Sequence, residues 1–166
     1  KTGAMSLDQL QKLESERGQI SLNRQYYTSL LEYIDTQKDI DKAITPSVAG
    51  IDDPLLNGNL LELKRLHTQK TQLSFVRGDE SYDLKMLAKQ IANTTAALKE
   101  NVESLIATSN IALRSVDQKI GKLERTLNQL PGNEKTLINL ERKASFSENI
   151  YNYLSLELAK NGIARA

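Results

Sequence analysis

His67 is the one histidine in a chain of 166 residues that has no cysteine, and it stands among Lys64, Arg65 and Lys70. A transition-metal site needs several soft or carboxylate donors converging on one point, usually histidines or cysteines at fixed spacing. With no second such ligand and basic neighbours, His67 reads as a surface residue. Asp52 and Asp53 are the kind of paired acids that proton transfer uses, but adjacent carboxylates on a loop do not hold a fixed distance to a reacting group. Helix capping is their expected role. Arg77-Gly78-Asp79 has the composition of a tight turn. Asn93-Thr94-Thr95 fits a glycosylation acceptor, yet it falls inside a helical period. The chain has no Gly-x-x-x-x-Gly-Lys phosphate loop, and no serine has a histidine and an acid in helical register. The sequence therefore predicts no catalytic residue, no metal ligand and no cofactor.

The elements that carry these residues are helical. Hydrophobic residues make up 39% of the chain and aromatic ones only 5%, with no tryptophan and two phenylalanines. Aliphatic stripes of Leu, Ile and Ala suit helix-on-helix packing better than a sandwich or barrel. The 22 basic and 21 acidic residues leave a net charge of +1 and are mixed along every segment. A nucleic-acid binder would gather positive charge on one face, so no nucleic-acid partner is expected. No apolar run approaches the ~18 residues of a membrane span, and no basic segment leads into an apolar core as in a secretory signal.

All three prolines lie near breaks between four predicted helices, at about 7–43, 55–76, 81–130 and 134–163. In the first, Leu10, Arg17, Arg24 and Leu31 share one heptad position, while Leu13, Ile20, Tyr27 and Ile34 share the other. The result is a narrow seam. Pro46 and Gly50 stop the helical pattern, and Asp53-Pro54 restarts it with the acid as N-cap and proline in the first turn. Leu56, Leu60, Leu63, Leu66 and Leu73 then mark the second helix, and Ser81 or Asp83 can cap the third. There Leu84, Ile91, Leu98, Leu105 and Ala112 recur every seven residues before a four-residue step to Val116, Leu123 and Leu130. Such a stutter unwinds a supercoil locally without ending the helix. Some 50 residues at ~1.5 Å each make a rod of roughly 75 Å. Asn93-Thr94-Thr95 and Thr108-Ser109-Asn110 are polar where a core wants leucine, so packing is expected to loosen there. Pro131-Gly132 breaks the chain, and Asn133 is placed to cap the last helix.

That last helix carries Leu130-Pro131-Gly132-Asn133-Glu134, then Leu137, Leu140-Glu141-Arg142, Tyr151, Leu154 and Leu156-Glu157. Its leucines and Tyr151 recur at three- and four-residue intervals and form one amphipathic stripe. This segment resembles the returning helix of the bacterial polysaccharide co-polymerases, the family that includes capsule and exopolysaccharide tyrosine autokinases. A second patch agrees with it in the same order: Leu30-Leu31-Glu32-Tyr33, then Pro46-Ser47-Val48-Ala49-Gly50-Ile51-Asp52-Asp53-Pro54-Leu55. Pro46, Gly50, Asp53, Pro131, Glu134, Leu140, Arg142, Tyr151 and Leu154 are the positions that match the family pattern. The chain departs from that pattern after Leu156-Glu157, where Leu158-Ala159-Lys160-Asn161-Gly162 replaces a more charged continuation. Helical spacing from the leucines favours a structural role, with Tyr151 packed into the seam and Arg142 paired with an acid. The other reading is a surface that holds protomers or polysaccharide.

The resemblance implies an all-α, elongated antiparallel helical hairpin or coiled-coil bundle. It also implies one extracytoplasmic domain, periplasmic and belonging to an inner-membrane protein, with membrane anchors outside these residues. Lys1-Thr2-Gly3-Ala4-Met5 reads as an abrupt start, as expected of an excised piece. Implied partners are other copies of the chain, polysaccharide and an outer-membrane exporter, in a protein controlling polymerisation or export of surface polysaccharide. A kinase domain, where such a protein has one, is cytoplasmic. Two other readings share the helical pattern: the hairpin adaptor of a tripartite export pump, and a cytoplasmic coiled-coil scaffold. The seams look narrow enough to be filled within one hairpin, leaving mixed charge outside and only weak association of the isolated chain.

Overall fold

The structure, a computed structural model, describes the backbone of residues 2–36, 39–77 and 81–165 and the side chains of 3–36, 39–76 and 81–158. The protein is all-α, with no strand among the described residues. Four helices follow in order: α1 (Thr2–Asp35), α2 (Pro54–Arg77), α3 (Tyr82–Asn128) and α4 (Gly132–Arg165). A 3₁₀ turn, Ile40–Lys42, lies between α1 and α2.

Helix α1 stops well short of Ala43, the expected end. No proline or glycine marks the place. Thr36 Oγ1 donates to the Glu32 carbonyl at 2.6 Å, and Asp39 accepts the Asp41 N–H at 3.2 Å. The second of these bonds caps the 3₁₀ turn. The α4 start also differs. The Lys135 N–H donates to the Pro131 carbonyl at 3.1 Å, so the helix begins at Gly132 and Asn133 lies within its first turn rather than capping it. Gly78 and Asp79 of the predicted Arg-Gly-Asp turn lie outside the described residues; Arg77 is the last residue of α2.

The residues group into two compact units. The first comprises residues 1–25 and 107–166. Leu7 and Leu10 of α1, Val116, Ile120 and Leu127 of α3, and Ile138 of α4 form its core. Gly3 lets α1 come close to the α3–α4 connection. A Cβ there would meet Leu130 Cδ1 at 3.2 Å and Ile138 Cδ1 at 3.5 Å.

The second unit comprises residues 26–106. Tyr26, Tyr27, Leu30 and Ile34 of α1 meet Leu56, Leu60 and Leu63 of α2 and Leu98 and Val102 of α3. The Tyr26 and Tyr27 rings pack edge to face with centroids 6.0 Å apart. Tyr26 Oη donates to the Ile44 carbonyl at 2.6 Å, which satisfies a buried hydroxyl. Burial, with Tyr27 adding a smaller push, drives the Tyr26 pKa well above its ordinary range. Lys64 reaches from α2 to the carbonyls of Asp41 (3.1 Å) and Ala43 (2.6 Å), holding the 3₁₀ turn down.

Helix α3 contributes to both cores and runs unbroken through the predicted stutter at Ala112–Val116. Thr94, Thr95, Ser109 and Asn110 are half-buried. A cleft of about 580 Å³ in the second unit includes Ile91 and Thr95 in its wall, and one of about 430 Å³ in the first includes Asn110 and Leu113.

Candidate functional site

The nine residues on which the resemblance rests fall into two places. Pro46, Gly50 and Asp53 build the connection into α2. The Ile51 N–H donates to the Pro46 carbonyl at 2.8 Å and the Gly50 N–H to the Ser47 carbonyl at 3.2 Å, with Gly50 at φ 77°. This pairing, six-to-one and five-to-two around a left-handed glycine, closes one helical turn as a Schellman motif. Pro46 and Ile51 are buried by it. Three residues on, the Leu56 N–H donates to Asp53 Oδ1 at 2.9 Å, so the predicted N-cap is present while Asp52 is exposed. The predicted cap of α3 is Ser81, whose hydroxyl accepts the Leu84 N–H at 3.3 Å.

These three residues shape backbone, and their substitution should be read as stability. Gly50→Ala is expected to cost about 1 kcal/mol, since a Cβ has open space there but the left-handed backbone disfavours it. Asp53→Ala is expected to cost about 1 kcal/mol through the lost cap. Urea denaturation of each variant checks both values. A cost near zero for Asp53→Ala would show that Pro54 alone starts α2.

The other six residues belong to the α3–α4 turn and α4. Pro131 is exposed in the turn, and Glu134 is exposed in the first turn of α4, where a negative charge complements the helix dipole. Arg142 is paired with acids, as expected. Its Nε donates to Glu14 Oε1 of α1 at 2.9 Å and its Nη2 to Glu124 Oε1 of α3 at 2.6 Å. One guanidinium thus ties three helices of the first unit. Burial opposes its charge, but the hydrogen bonds to Glu14 and Glu124 outweigh burial and raise its pKa above the ordinary value. A guanidinium does not give up its proton near neutral pH, so this cluster acts as a brace and not as an acid–base pair. Glu14 Oε2 is buried without a hydrogen-bond partner among the described residues.

Tyr151, Leu140 and Leu154 overturn the expectation of a buried seam. Tyr151 is 71%, Leu140 61% and Leu154 53% exposed. Helix α4 packs through its opposite face, where Ile138 is buried, Arg142 and Ser145 are half-buried, and the half-buried Tyr153 donates to Gln25 Oε1 at 2.8 Å. Periodicity located a stripe correctly but not which side the chain covers. Beside the packed face a cleft of about 660 Å³ opens between α1 and α4, with Arg17, Gly18, Ser21, Arg142, Phe146 and Ile150 among its lining residues. Arg17 is itself paired with Asp117 at 2.9 Å.

His67 is half-buried and borders the cleft that holds Tyr33, Ile40 and Thr95. No group of three or more metal-ligating side chains converges among the described residues. Among the described residues, no helix is long and apolar enough to cross a membrane.

Comparison of the chain with protein-family models, with curated proteins and with solved structures gives no match.

Proposed function

We propose that this chain is a non-catalytic spacer and self-association module. In this reading it is the helical part of the periplasmic domain of an inner-membrane polysaccharide co-polymerase. The observation that carries the reading is α3, a single helix of 47 residues that supplies both hydrophobic cores. Helices of that length are far outside the usual range for a small globular domain, and they suit a protein whose task is to set a distance. An elongated antiparallel hairpin is the arrangement proposed with it. The assignment to surface polysaccharide rests on the residue pattern around Pro46–Leu55 and Leu130–Glu157. Its partners would be other copies, the polysaccharide and an outer-membrane exporter, with membrane segments supplied outside these residues.

Two measurements test this in cells that make the parent protein. Protease added to intact cells should leave the region uncut, and the same protease should cleave it once the outer membrane is removed. Deleting its coding region in frame should change the length distribution or the amount of surface polysaccharide on a gel. Continued protection after the outer membrane is removed would point to the cytoplasmic scaffold instead. Unchanged polysaccharide together with impaired drug or solute efflux would point to the pump adaptor.

A further inference from the structure

The exposed face of α4 carries a heptad stripe that no described residue of its own chain covers. Leu137, Tyr151 and Leu158 fall at one heptad position, a, and Leu140 and Leu154 at the other, d. These five side chains are between 53% and 72% exposed. They lie on the side of α4 away from Ile138 and Arg142, by which it packs. Folded proteins rarely leave this many large apolar side chains aligned and open to water unless something binds them. The remaining stripe positions, Ala144 and Ser147, are small, and the Ser147 hydroxyl donates to its own Lys143 carbonyl at 3.1 Å. It therefore brings no unsatisfied donor into a closed seam.

We propose that α4 pairs with α4 of a second copy of this chain, parallel and in register, through the Leu137–Leu158 stripe. The flanking charges select that occupant and orientation, as residues beside a coiled-coil seam do. With Leu137 at a, Lys143 occupies g and Glu141, Glu148 and Ser155 occupy e. A parallel pair sets each Lys143 against Glu148 of the second copy, twice by symmetry. It sets Thr136 against Glu141 and Ile150 against Ser155, so no like charges meet. Antiparallel registers that overlap most of the stripe instead oppose Glu141 to Glu148 with no compensating pair, or oppose Glu148 to its own copy against a Lys143–Glu157 attraction, so only the parallel pair has attraction without repulsion. Because α4 is already held helical against α1, pairing does not have to order it first. This names the surface for the self-association part of the proposed function and rests on that part alone, not on polysaccharide.

The absence of cysteine makes orientation directly measurable. Leu140→Cys and Leu154→Cys, made separately, lie ~21 Å apart along the helix. Only a parallel, in-register pair lets both variants form a disulfide to the same residue of a second copy under mild oxidation. Sedimentation across micromolar concentrations should show a dimer for the unaltered chain. Leu140→Glu combined with Leu154→Glu should raise its dissociation constant at least ~100-fold, since two leucines per chain no longer bury. Circular dichroism at high dilution, where both chains are monomeric, should be the same for the two and so exclude misfolding. Association that survives the double substitution would overturn the α4 surface while keeping self-association. Cross-linking at one position only would overturn the parallel register. A monomer at every concentration with no cross-link would overturn the pairing, leaving the polysaccharide reading to the cell experiments.

Discussion

Leu98→Ala should destabilise the protein by about 3 kcal/mol, an approximately hundredfold change in its unfolding equilibrium. Leu98 is fully buried where α3 meets Leu60 and Leu63 of α2 and the tyrosines of α1. Truncation there loses the transfer energy of the side chain and leaves a cavity that three converging helices cannot close. Leu105→Ala should cost about half as much, because Leu105 is half-buried at the margin of the same core. Leu154→Ala, measured at a dilution that keeps the chain monomeric, should change stability by less than about 0.5 kcal/mol. Urea denaturation of the three variants checks the order. The comparison uses one residue type at one spacing, so it isolates burial from helix propensity. Equal costs at Leu98 and Leu154 would mean that α4 covers its stripe within the chain.

How far the sequence could be read follows from what periodicity measures. A heptad series reports that a helix has an apolar face, and that much was legible for Leu84, Ile91, Leu98 and Leu105. The companion positions Leu87, Val102, Leu113, Ile120 and Leu127, which are all buried, form the other half of the α3 seam. They were recoverable from the same three- and four-residue spacing. Periodicity carries no information about which chain covers a stripe. In α4 it marked the strongest apolar face, and the structure packs the weaker one, because Ile138 and the Arg142 brace find partners on α1 and α3. The end of α1 was illegible for another reason. No proline or glycine marks it, and the Asp39 side chain caps the 3₁₀ turn that follows rather than α1 itself.

The pairing of Arg142 with an acid was legible as chemistry but not as geometry. Nothing in the spacing selects Glu14, 128 residues away, or Glu124. The same limit applies to the Asp53 cap in reverse: its partner is three residues on, so local spacing was sufficient to find it. The site that matters most for the proposed self-association is therefore one that the sequence displays openly but whose exposure only the folded chain reveals.

Arg142→Ala is expected to cost about 2 kcal/mol, the second largest effect on folding stability. Hydrogen bonds to charged groups contribute roughly 1.5–3 kcal/mol. The Arg142 side chain is 36% exposed and Glu124 38%, so solvent screens that half of the brace and it adds little. Glu14 dominates. Its side chain is only 13% exposed, and with Oε2 already lacking a partner, removing Arg142 leaves a mostly buried carboxylate with neither oxygen bonded. Breaking one side of a buried pair is far more costly than replacing both sides by apolar groups. Arg142→Met with Glu14→Leu should therefore recover most of the stability that Arg142→Met alone loses. Arg142→Lys should recover only part, because a single ammonium cannot reproduce the planar fork that spans Glu14 and Glu124. Denaturant titration of the two single variants and the double variant gives the coupling energy directly, expected at about 1–2 kcal/mol. Additive losses would show that Arg142 stabilises α4 by packing its aliphatic stem, with the carboxylates contributing nothing.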